Sequence, residues 1–397
     1  MEVQTTMTVA LINPGVLRWA RERARIGPDR LAKSASVTPE RILRWEEGME
    51  KPTFRQAQEI AKKLHIPFGY LFLSHPPEEK LPIPDLRRIG DHPISEVSAD
   101  LFDLLADTLY KHDWYRDYLI EQGEEKLPFI GRFDPDADPR EIAADMTTTL
   151  SLTLADRTQV RSWEQFYDFL VRRAEAAGIW VMRSGIVANN THRSLEIHEF
   201  RGFAICDEIA PLVFINGNDA KAAQIFTLVH EMTHLWIGKS GISNTSLDRP
   251  VNGEGKDIEK ICNAVAAEVL VPEGPFLHTW EEIWQKESSP EDTISTSATF
   301  FRVSTVVIAR RALDLGLIEW PVFVDYYRSQ EERWQRRREE QGGGNFFKTL
   351  PVRYGRRFTE AVVRSTFDQS LLMREAGRML NISPSRIQPL AEQIGVW

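Results

Sequence analysis

Hydrophobic positions along this chain recur mostly three and four residues apart, the spacing that lines one face of an α-helix. Before residue 75 the pattern breaks into five helical stretches: one opened by Val16-Leu17-Arg18-Trp19-Ala20-Arg21, then Asp29 to Ser34, Pro39 to Glu46, Phe54 to Leu64 and Pro67 to Leu73. Thr38-Pro39 reads as a start, a capping residue followed by proline at the first helical position. Gly48 and then Pro52 read as a stop. Farther on, Leu101, Leu104, Leu105 and Leu109 predict a long helix running through Trp114, Tyr118 and Leu119, whose aromatic stripe reads as packing between domains. Ile142 to Leu150, Trp163 to Ala177, a run around Ala222 to Val229, and Asp257 to Leu270 predict further helices. Only two segments carry a strand pattern, Arg201 to Asp207 and Leu212 to Asn216, separated by Glu208 to Pro211 and ended by Gly217-Asn218-Asp219. Past Pro272 the pattern is helical again, with a helix-turn-helix cadence in Ala298 to Ser304 followed by Val306 to Leu313, and a weaker one in Leu371 to Ile387. The expected class is mainly α with a small β-sheet (α+β).

Breaks in the pattern suggest where domains join. Pro76-Pro77 through Pro82-Ile83-Pro84 is a proline-punctuated linker, Pro135 and Pro139 mark a second boundary, and Gly342-Gly343-Gly344 is a flexible joint. Just before that joint, the basic cluster Arg333 to Arg338 is flanked by Glu331-Glu332 and Glu339-Glu340, the interleaving of a solvated helix.

Composition narrows the setting. With 397 residues, 42% hydrophobic and 27% charged, the chain can build two to four ordinary cores and has no apolar run near membrane-spanning length. Met1 to Asn13 lacks the basic start and apolar centre of a signal peptide, and Cys206 and Cys262 alone cannot make a disulfide framework. The expected location is the cytoplasm. Net charge is −9, but residues 1–75 hold 12 Lys+Arg against 8 Asp+Glu, a net +4 that leaves −13 elsewhere. A mildly basic module is joined to an acidic body.

The chemistry concentrates in His230-Glu231-Met232-Thr233-His234. Two histidines four apart point from one side of a helix, so both imidazoles can ligate one metal ion, and zinc is the natural occupant. Glu231 is spaced as a base rather than a ligand: it can take a proton from the attacking water and pass it to a leaving amine. A third ligand is still needed, and Ser240 stands where another histidine could have been six residues beyond His234. The Asp257 to Leu270 helix, with its apolar stripe of Ile258, Ile261, Cys262, Val265 and Val269, offers Glu259 and Glu268. These lie nine residues apart on opposite flanks, so one of them reaches the metal. Glu259 is favoured, because Asn263 sits one turn later on the same face and can steady a ligand by a hydrogen bond. Glu268 then reads as an ordinary hydrogen-bonded helix acid, and Cys262 as a small core residue that could also offer a thiolate. His192 and His198 read as surface histidines. No oxyanion donor stands out, but a strand edge beside such a helix is a place where an extended peptide can be held.

Phe226 to Leu235, followed by Glu259-x-x-x-Asn263-x-x-Ala266-Ala267-Glu268-x-x-x-Pro272, resembles the ImmA/IrrE family of zinc metallopeptidases over roughly Gly178 to Pro272. Members often carry a second acid two residues before the Asn, where this chain has Ile261. The resemblance implies an intracellular protease that cleaves a repressor or a similar regulatory protein. In the first module, Leu31-Ala32, Val37, Ile42, Trp45-Glu46-x-Gly48-x-x-x-Pro52, Ile60-Ala61 and Leu64 resemble the Cro/phage-repressor helix-turn-helix family. That resemblance places the helix after Thr38 in the DNA major groove, with Thr38, Arg41 and Arg44 as candidate contacts. Glu40 on the same helix would repel phosphate, which leaves room for a protein-docking or dimerising module and hence a homodimer.

The expected organisation is a helix-turn-helix domain over 1–75, linker and interdomain helices over 76–135, a zinc metallopeptidase domain over 136–285 and a helical region over 286–397. The leading function is a cytoplasmic zinc endopeptidase tethered to a DNA-binding module, acting on a regulator in stress, phage or mobile-element control. Two readings stand beside it: a transcriptional regulator that uses the zinc fold as sensor or scaffold, and an antitoxin-like interaction protein.

Overall fold

The computed structural model describes residues 8–78, 81, 83, 88–89, 92–93, 97–243, 256–287, 289–338 and 346–396. It is mainly helical with a small mixed sheet, as expected. The chain divides into two compact units, one of residues 1–82 and 95–106, the other of residues 83–94 and 107–397. Gly342 to Gly344, Glu339, Glu340 and the linker prolines Pro82 and Pro84 lie outside the described residues, as do the side chains of Arg333 to Arg338. Among the described residues no helix is long and apolar enough to cross a membrane.

The first unit contains α1 (Pro14–Arg23), α2 (Pro28–Ala35), α3 (Pro39–Glu46) and α4 (Phe54–Lys63). The fifth expected helix is a 3₁₀ turn, Phe68–Phe72, in which Tyr70 N–H donates to the Pro67 carbonyl three residues back. Leu17, Ala20, Leu31, Ile42, Trp45, Ile60 and Leu64 share one core. Between α2 and α3 the chain turns through Ser36, which adopts a left-handed conformation at φ 54. Glu46 is buried because Arg21 of α1 clamps both its oxygens, at 2.6 and 2.9 Å, which fixes α3 against α1. α4 begins with a two-way cap between Thr53 and Gln56.

In the following chain, β1 (Arg88–Ile89) and β2 (His92–Pro93) form a two-residue antiparallel pair, and α5 (Ala99–Glu121) contributes residues to both units. The second unit continues with α6 (Pro139–Thr149), α7 (Leu154–Gln159), α8 (Trp163–Ala176), β3 (Trp180–Ser184) and a hairpin of β4 (Ile186–Val187) and β5 (Asn190–Ser194). Next come β6 (Gly202–Ile205), β7 (Leu212–Asn216), α9 (Lys221–Ile237), β8 (Gly241–Ser243) and α10 (Lys256–Leu270). α11 (Glu273–Glu287), α12 (Pro290–Phe301), α13 (Thr305–Asp314) and α14 (Trp320–Arg338) follow. The chain closes with α15 (Phe346–Tyr354), α16 (Arg356–Phe367), α17 (Met373–Met379) and α18 (Ile387–Ile394).

The main sheet has the order β3-β7-β6-β8, with β3 parallel to β7 and the other pairs antiparallel. Every residue of β6 and β7 is buried, which explains their continuous apolar runs. α9 packs on these two strands and against α10, so from Gln224 to Ile237 it has no solvent side. It ends at Gly238, whose φ of 70 suits glycine and whose missing Cβ would stand 2.9 Å from the Gly131 backbone. The β3 edge is covered by the C-terminal helices: Trp180 stacks on Phe358 at 4.5 Å, and its indole N–H donates to the Tyr354 carbonyl at 2.6 Å. The aromatic stripe of α5 packs inside this same unit, with Tyr115 at 5.0 Å from Trp180 and 5.5 Å from Phe358.

Candidate metal centre

Two buried helices bring the site together. α9 supplies His230, Glu231 and His234, and α10 supplies Glu259, Cys262 and Asn263. The imidazole centroids lie 5.1 Å apart, one turn above the other. Glu259 faces both: its two oxygens stand 3.3 Å from His230 Nε2 and 3.4 Å from His234 Nε2. Asn263 Oδ1 lies 3.0 Å from His230 Nδ1, so that nitrogen carries the proton and Nε2 keeps its lone pair. His230 Nε2 has no hydrogen-bond partner among the described residues despite complete burial. An orphaned, lone-pair-bearing nitrogen in a dry interior is costly unless something else occupies that direction.

A tetrahedral ion with ligands at about 2.0–2.1 Å sets neighbouring ligand atoms roughly 3.3–3.4 Å apart. The separations between Glu259 and the two histidines match that spacing, so the residues present fit a metal ion. A second donor competes: a nitrogen of each histidine and the Cys262 sulfur lie within 4.8 Å of one another.

Burial and charge separate the two carboxylates. Burial alone would raise the Glu259 pKa, but the facing imidazoles outweigh it and hold the group well below the usual carboxylate range. Glu231 goes the other way. Complete burial pushes its pKa far up, the negative Glu259 adds to the rise, and the Ser243 hydroxyl offsets only part of it. Burial lowers the His234 pKa against the pull of Glu259. Burial also raises the Cys262 thiol, with Glu259 and Glu231 pushing the same way.

Residues 174–313 match the IrrE N-terminal-like domain of the M78 peptidases. The matched stretch holds both helices of the site and runs on through α12 and most of α13. Residues 354–393 match a domain of unknown function. No curated protein and no solved structure matches the chain. Within the IrrE-like domain Glu268 is committed elsewhere: it pairs with Arg311 of α13 and accepts the Glu273 N–H at 3.2 Å, beyond the end of α10. His192 and His198 are exposed.

Two participants were not apparent from sequence. Ser243, on β8, sets its hydroxyl 3.2 Å from His234 Nε2 and 3.4 Å from Glu259 Oε1. Gly202, on β6, leaves the room that Glu231 fills; a Cβ there would stand 2.7 Å from Glu231 Oε1. An isolated glycine inside a strand does signal close approach of another group, which is the cue Gly202 offered. Ser243 offered none.

In the first unit, Thr38 stands at the start of α3 but makes no capping hydrogen bond. The exposed guanidiniums of Arg41 and Arg44 both reach Glu50, at 3.1 and 2.8 Å. Those contacts hold the Glu50 carboxyl below its ordinary pKa, Arg44 contributing most. Glu40 is also lowered, first by its own backbone N–H and then by the Thr38 hydroxyl.

Proposed function

We propose that the second unit is a zinc endopeptidase acting on a regulatory protein, and that His230, His234 and Glu259 hold the metal. One observation carries this reading: Glu259 faces both Nε2 atoms at metal-ligand spacing, while Glu231 stands beside them with neither oxygen hydrogen-bonded among the described residues. Bound zinc supplies Lewis-acid polarisation of the scissile carbonyl and acidifies the attacking water. Asn263 fixes the His230 tautomer, and the Ser243 hydroxyl donates to Glu259. Glu231 accepts the proton of the attacking water and returns it to the departing amine nitrogen. Burial by itself favours the neutral acid, so the carboxylate form that acts as base would be held by the positive charge of the bound metal. β8, the sheet edge that carries Ser243, is where an extended substrate segment would add by main-chain pairing. The IrrE-like match supports a regulatory protein as substrate, and the helical first unit, with Arg41 and Arg44 exposed on α3, supports a DNA-linked setting.

Cys262 favours a second reading, in which the fold is a metal-dependent sensor. A thiolate added to the two histidines and Glu259 would complete four protein donors and close the site to water. Metal content and cleavage of co-expressed repressors, measured on Glu231→Gln, Glu259→Gln, Glu268→Gln and Cys262→Ser, separate the two. The protease reading expects Glu231→Gln to keep about one zinc per chain and to lose cleavage by about 10²- to 10⁴-fold. It expects Glu259→Gln to lose zinc while Glu268→Gln and Cys262→Ser retain it. An active Glu231→Gln variant, or loss of zinc in Cys262→Ser, moves the assignment to the sensor.

A further inference from the structure

About 610 Å³ of space opens beside the first two turns of α9, where Ala222, Ala223, Phe226 and Thr227 line it, ahead of His230. Its walls are the loop before β6, the start of α9, the junction of α12 and α13, and Tyr327 of α14. The volume is that of a small-molecule site and several times what one amino-acid side chain fills.

Three guanidiniums line the space: Arg161, Arg201 and Arg302. Asp219, the carboxylate among the described lining residues, is taken by Arg201 Nη1 at 2.7 Å and by the Ala220 N–H at 2.8 Å. Two helices also begin here. α9 starts at Ala220 without a side-chain cap, and Ala222 and Ala223 line the wall. The Ser304 hydroxyl caps Val307 N–H of α13, while Thr305 and Val306 line the wall beside it. Helix starts present free N–H groups and the positive end of the peptide dipole. Cationic side chains and two helix starts favour an anion. The remaining wall is largely apolar and includes the rings of Trp163, Phe226 and Tyr327, which suit a planar body.

We propose that this cavity binds a nucleoside phosphate, with the phosphate toward Arg302, Arg201 and the helix starts and the base against the aromatic side. The site requires neither a metal nor proteolysis, so it stands or falls apart from the function proposed above. An acidic side chain of a bound peptide is the competing occupant, but it would leave most of the volume and the aromatic wall unused.

Titration calorimetry of the full chain with AMP tests this, with adenosine, inorganic phosphate and an oligoglutamate peptide as separate arms. Saturable AMP binding is expected, at least about tenfold tighter than adenosine or phosphate alone. Arg302→Gln should weaken it by about tenfold or more, as expected for loss of a charged hydrogen bond. Ala222→Glu should do the same through repulsion while keeping the fold, because an acid suits the first turn of a helix. A melting curve for each variant identifies any that fails to fold. The proposal is overturned if AMP gives no saturable heat in the millimolar range, if adenosine binds equally well, if folded variants bind as the parent does, or if oligoglutamate binds where AMP does not.

Discussion

Glu231 occupies space that exists only because residue 202 has no side chain. A methyl group at Gly202 would fall 2.7 Å from Glu231 Oε1 and 2.8 Å from Cγ, closer than any stable contact, so the carboxylate has to move. Gly202→Ala should therefore cut turnover by about tenfold or more, since small misplacements of a catalytic group carry costs of that order. Zinc content should stay near that of the parent, because the proposed ligands sit on α9 and α10 rather than on β6. Parallel assays of zinc content and turnover check this, and an alanine variant with parental turnover would show that Glu231 tolerates displacement. At this scale the sequence was uneven. His230 and His234 stand four residues apart on one helix with Glu231 between them, and Asn263 follows Glu259 by one turn, so local spacing brought them forward. Ser243 meets His234 and Glu259 only because β8 folds back along β6, a long-range pairing with no local pattern.

Elements rather than residues decide whether the donors meet. α10 must end in register with α9, and a buried arginine fixes its end. Arg157 of α7 donates to the carbonyls of Val269 and Leu270 at the end of α10, and to that of Phe301 at the end of α12. Burial pulls its pKa down to about 10, so it remains charged at neutral pH and complements the negative ends of both helices. Arg157→Met keeps the bulk but leaves three buried carbonyls without this donor, which should cost roughly 3 kcal/mol or more of stability. Denaturant unfolding of zinc-free protein would measure it, and a change below about 0.5 kcal/mol would mean that other groups replace the arginine. Helices α9 and α10 were readable because α9 carries the histidine motif at the end of an apolar run and α10 has a long apolar stripe ahead of Pro272. β3 and β8 were not: β3 is a five-residue strand between α8 and a hairpin, and β8 is three residues long. Their pairing partners lie far away in sequence, so periodicity has little to register.

For the whole molecule, the charge division between a basic first module and an acidic remainder is a statement about partners. On the expected DNA-reading helix α3, however, Arg41 and Arg44 are both engaged by Glu50. If the first unit binds DNA, phosphate must displace that carboxylate, and Glu50 then stands as a like charge beside the backbone. Glu50→Gln should accordingly raise affinity for duplex DNA by up to about tenfold at low salt, an advantage that shrinks as screening grows. Arg44→Ala should weaken binding and make the slope of log affinity against log salt shallower by about 0.9, the contribution of one neutralised phosphate. Fluorescence anisotropy with the full chain and fragments of its own promoter region, from about 50 to 200 mM salt, measures both effects. Binding that ignores salt and both substitutions would remove DNA from the proposal. The exposed face of α3, with its arginines already paired to an acid on their own unit, would then be better suited to a protein partner or a second copy of the chain.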